Sequence, residues 1–130
     1  MTQTYNHGTF LLARILLVAV FIFSGATKLM DWSGGIGEME ALGLPFPALC
    51  LASTIAVQIL ASLSLIAGVF VRVSVVFLAG FTILATLIAH DFWNFSGIDQ
   101  LHQATTVLEH ASIIAGFLLV VLLHKNLCRD

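Results

Sequence analysis

The chain has 130 residues, 59% hydrophobic and 9% charged, whereas an average soluble domain is about one quarter charged. With a mean hydropathy of +1.04, that composition excludes an ordinary soluble domain. The net charge of -2, with no basic patch, gives nucleic acid nothing to bind.

Crossing a bilayer core as a helix takes about 20 mostly apolar residues, and four stretches are long enough. They are continuously apolar, where barrel strands would alternate, so the expected fold is all-α, an integral membrane four-helix bundle in one domain over 1–130. The first predicted helix covers roughly 10–30. No basic residue precedes it, Arg14 lies inside it and no A-x-A-like cleavage site follows, so it is expected to be retained rather than removed as a leader. Ser24 and Lys28, four apart, share one of its faces. The connection "DWSGGIGEMEALGLPFP" has a Gly-rich start, an "EMEAL" patch sufficient for one or two helical turns, and a Pro-bracketed stop. It is expected to lie on the membrane surface, with Trp32 at headgroup level.

The second helix, roughly 46–70, carries Thr54, Gln58 and Ser62 at intervals of four. The short "GVFVRVS" connection forces a tight antiparallel hairpin with the third helix, roughly 71–93, where Thr82, Thr86 and His90 repeat the spacing. "DFWNFSGIDQLHQA" follows, its Phe92, Trp93 and Phe95 suited to an aromatic belt. The fourth helix, roughly 105–124, pairs Thr106 with His110 and Thr105 with Glu109.

Basic residues are distributed unevenly. Arg14, Arg72, Lys125 and Arg129 fall at the end that holds both termini, and Lys28 alone falls at the other. The positive-inside rule therefore puts the N- and C-termini in the cytoplasm, with Arg14 and Arg72 as inner-face anchors. Cys50 and Cys128 should lie about a membrane thickness apart, too far for a disulfide, and there is no C-x-x-C. Both points argue against an enzyme that makes disulfides with quinone.

Each polar stripe facing lipid would cost several kcal/mol per unsatisfied group, so the stripes should face one another in a polar seam. At about 1.5 Å rise per residue, Gln58 lies near mid-membrane, and Lys28, His90, Glu109 and His110 lie in the outer third. Glu109 is expected to turn inward to a cation, Lys28 first and His90 or His110 next, because a lone charge at the bilayer centre costs at least about 2.5 to 3.5 kcal/mol. The candidate polar or ligand-binding cluster is Lys28, Gln58, Thr86, His90, Trp93, Glu109 and His110. The plainer alternative is that these residues tie helices together, as the Ser and Thr residues and the pairs Ser64/Gly68 and Ser112/Gly116 are expected to do.

The run "VFIFSGATKLMDW", the loop "MEALGLPFP", "LIAGVFVR", "LATLIAHDFW" and "IAGFLLVVL", with Arg14, Lys28, Arg72 and His90, resemble in order and spacing the DoxX family of small bacterial membrane proteins. The resemblance covers almost the whole chain. It implies a multi-pass protein of the bacterial inner (plasma) membrane, similar to small subunits of quinol oxidase and thiosulfate:quinone oxidoreductase systems. In the family pattern a glutamate is common where this chain has Gln58, and a Lys-Asn pair where it has Glu109 and His110. The buried acid would then have moved from the second helix to the fourth, again with Lys28 as partner.

The leading functional expectation is a non-catalytic accessory or small subunit of a quinone-linked membrane redox system, not an enzyme on its own. A quinone would bond to His90, Glu109, His110 and Trp93 at headgroup level. Expected partners are the lipid bilayer, membrane redox-complex subunits and further copies of the chain. The alternatives are a metal or haem site on His90, Asp91, His102, Glu109 and His110, a carrier of a small solute or proton, and a membrane interaction scaffold. His7 and His124 are assigned no role.

Overall fold

In lipid only helices and closed barrels satisfy their own backbone groups, so continuous apolar runs become helices. The computed structural model describes residues 6–127, and Cys128 and Arg129, both considered in the sequence analysis, fall outside them. Among the described residues there is no strand. The helices are α1 (His7–Met30), α2 (Trp32–Ala41), α3 (Pro47–Ala56), α4 (Ser62–Ala67), α5 (Val71–Ala89) and α6 (Gly97–Leu127), with a π-helical turn at Val57–Ala61 and a 3₁₀ turn at Phe92–Asn94. The π turn joins α3 and α4 into one span. His7–Met30, Pro47–Ala67, Val71–Asn94 and Gly97–Leu127 are each long and apolar enough to cross a membrane. The ends of α1 and α6 that carry the chain termini share one end of the bundle with the α4–α5 connection. α2 and the 3₁₀ turn occupy the other, called here the loop end.

Several boundaries differ from the sequence expectation. The last helix begins at Gly97 rather than near 105, because "IDQLHQA" contains good helix formers and Asp99 sits in the first turn, where a carboxylate suits the helix dipole. The second span stops at Ala67 because Gly68, at φ +76°, caps it in the left-handed conformation. Instead of one or two turns, α2 has ten residues, capped by Asp31, whose side chain accepts from Gly34 N at 3.0 Å. α2 also packs on the bundle. Its Gly35 and Met39 are buried, and Met39 packs with Leu51 and Ile55 of α3. A Cβ on Gly35 would stand 2.8 Å from Leu51, so the missing side chain is what lets α2 approach.

The main core joins α1, α4, α5 and α6 through Val18, Phe21, Leu65, Leu78 and Phe117, and the Phe21 and Phe117 ring centroids lie 5.7 Å apart. Gly25 lets α1 approach the π turn, since a Cβ there would stand 2.9 Å from Ile59 and 3.3 Å from Gln58 Cβ. At the terminal end the Arg14 guanidinium donates to Leu65 O at 3.2 Å, satisfying a last-turn carbonyl of α4, and lies 4.9 Å from the Phe10 ring centroid. Arg72 is exposed in the first turn of α5.

Candidate ligand-binding cavity

Two polar clusters form toward the loop end. The first joins α1, the π turn and α2. Lys28 Nζ donates to Ser24 Oγ at 3.3 Å and pairs with Glu38 Oε2 at 3.1 Å, while Gln58 Nε2 donates to the same Ser24 Oγ at 3.1 Å. Gln58 is 3% exposed, and its Oε1 is buried without a partner. A π turn adds a residue to the helical repeat and re-aims the side chains around it, and such turns recur at functional sites. Here the turn contains Gln58.

The second cluster joins α5 to α6. Thr86 Oγ1 donates to Thr82 O at 2.7 Å and lies 2.7 Å from His110 Nδ1. The Thr86 hydroxyl thus bridges a backbone carbonyl of its own helix and the imidazole of α6. His90 Nδ1 lies 2.8 Å from Gln103 Oε1, and the two histidine rings meet edge to face at 5.1 Å.

Between the clusters lies a cavity of about 750 Å³, walled by apolar residues of α1, α3 and α5 and reached by Ser24, Lys28, Glu38, Gln58, Thr82, His90 and His110. Its size and character, apolar walls with a few convergent polar groups, are those of small-molecule sites.

Lys28, Gln58, His90 and His110 thus share one cavity, and Thr86 holds His110 in place. Glu109 does not join them, which corrects its expected pairing with Lys28. At about 100° per residue, the rotation that turns His110 toward Thr86 turns Glu109 and Thr105 to the exposed side of α6. The acid that reaches Lys28 is Glu38, brought by α2. Trp93 is exposed on the 3₁₀ turn, meeting Phe92 edge to face, and does not line the cavity. His102 is exposed on α6, and Asp91 accepts from Asn94 Nδ2 at 2.6 Å. Among the described residues no three His, Cys, Asp or Glu side chains converge to hold a metal. Cys50 lines the cavity and its thiol donates to Pro45 O at 3.1 Å.

The sequence expectation missed Glu38 and Gln103. Gln103 lies seven residues before His110, on the same helical face, a signal readable only once α6 is begun at Gly97. Glu38 left no periodic trace, because it arrives from a separate helix.

The DoxX family pattern matches residues 9–91, from the first turns of α1 to the end of α5. The chain belongs to the DoxX family. It is 29% identical over 112 residues to the inner membrane protein YphA of Escherichia coli (strain K12), covering 86% of this chain and 80% of that one. To the inner membrane protein YqjF of the same strain it is 32% identical over 113 residues, covering 86% and 81%. No solved structure matches significantly. The four spans and these DoxX-family relatives make it a multi-pass inner-membrane protein. The family match ends before α6, so His110 and Gln103 lie outside it.

Proposed function

We propose that this protein is a non-catalytic accessory subunit of a quinone-linked redox system, and that it holds the quinone in the cavity between the helices. The observation that carries this reading is the cavity itself: large, apolar on most sides, and supplied with hydrogen-bonding groups toward one end. A lipid-soluble quinone has the matching character, an apolar body and tail with oxygens confined to its ring. In this proposal the ring lies near His90 and His110, with Thr86 and Gln103 fixing the imidazole orientations, and electron transfer belongs to a partner subunit. The charge bias toward the end that holds Arg14, Arg72 and Lys125 favours cytoplasmic termini, which puts the loop end and the mouth of the polar cluster on the outer side.

Thermal unfolding in detergent tests the binding. A ligand that binds only the folded state raises stability with concentration, so a quinone should raise the unfolding midpoint, and His90→Ala should weaken the rise. An equal rise in His90→Ala would remove that histidine from the site.

A further inference from the structure

The cavity has no closed wall toward the bilayer between α3 and α5. α3 packs on α1 and α2, and α5 packs on α6 and α4; the two meet through the π turn, toward the terminal end. Toward the loop end they stand apart, and the residues lining the gap include exposed apolar side chains, Leu49 from α3 and Phe77 and Leu84 from α5. Such a rim suits hydrocarbon rather than water.

Gly80 lies in the middle of α5 on this wall. Glycine weakens a helix interior, and at Gly25, Gly35 and Gly116 it accompanies a close approach, since a Cβ there would stand 2.8 to 2.9 Å from a side chain on another helix, which would have to shift. At Gly80 a Cβ would meet nothing within 4 Å, and its φ is not of the left-handed kind. What its missing side chain leaves is room in the cavity. A second feature also points to an occupant: Gln58, 3% exposed, lines the same cavity and holds an unpartnered amide oxygen, a costly arrangement unless a ligand or water completes it.

We propose that the occupant enters sideways from the bilayer through the gap between α3 and α5, and that Gly80 keeps the passage wide enough for the body and tail of a tailed quinone. This rests on the quinone reading above and adds the route and the residue that sets the fit. The ring lies inside, within reach of the polar groups, and the isoprenoid tail crosses the Leu49–Phe77–Leu84 rim into lipid.

The test compares thermal unfolding of the full chain in detergent with decylubiquinone and with its tailless ring, 2,3-dimethoxy-5-methyl-1,4-benzoquinone. The expected result is a larger upward shift for the tailed compound in the natural chain, and loss of most of that shift in Gly80→Leu, whose quinone-free midpoint is not lowered. Should the leucine disturb folding, Gly80→Ala is judged by the same criterion, a reduced shift with the tailed compound. An undiminished shift in these variants, or equal shifts with both compounds in the natural chain, overturns the lateral passage and leaves the quinone reading standing. No shift with either compound overturns both.

Discussion

Lys28 shows how a single charge is accommodated in a chain this apolar. Its side chain is 17% exposed, and the ammonium is shared between Ser24 on its own helix and Glu38 on α2, whose side chain is 50% exposed. Removing either partner of a charge pair near the membrane interior leaves the other less well satisfied. Half-exposure of Glu38 limits the energy, so Lys28→Met and Glu38→Gln should be coupled by about 0.5 to 1 kcal/mol in a double-mutant cycle of detergent unfolding. Lys28→Met and Glu109→Gln should be additive. Coupling of Lys28 to Glu109 instead would contradict the α6 rotation described above. At this scale the sequence is legible where helical periodicity operates: the spacings Ser24/Lys28 and Thr82/Thr86/His90 place their members correctly. It pointed to Glu109 rather than Glu38 as the acid that meets Lys28, because only the packing of α2 on the bundle brings Glu38 within reach.

Helices approach one another where glycine permits it, and the glycines of this bundle divide by what stands opposite them. Gly25→Val should destabilise the protein by about 1 to 3 kcal/mol, because α1 would be pushed off the π turn against Ile59 and Gln58. Gly80→Ala should do the reverse, stabilising the quinone-free protein by about 0.5 to 1 kcal/mol as an open site gains a better helix former. Unfolding free energies of the two variants check both signs. The long helices announced themselves by hydropathy and length. The α2 helix and the first turns of α6 did not, since α2 is mildly apolar and depends on the Gly35 and Met39 contacts with α3. The π turn had no sequence signature, for it differs from an α-helical turn by one residue of register.

The four spans form a bundle whose termini share one end, beside Arg14 and the exposed Arg72, while Glu38, Asp31 and Asp91 gather at the other. Reporter fusions at both termini should therefore respond as cytoplasmic, and a periplasmic response from either would overturn the positive-inside orientation. The seam expected from sequence is realised as two polar clusters facing a shared space. That space could not be read from the chain, because an unfilled volume depends on how the helices stand relative to one another. The central claim is that this cavity holds a membrane quinone. The most direct measurement is gentle purification from the native membrane, followed by solvent extraction and chromatographic quantitation of quinone per protein. A near-stoichiometric isoprenoid quinone, depleted when His110→Ala is purified in parallel, is the predicted result. Protein that emerges free of quinone, or with the same small amount in both preparations, would contradict it.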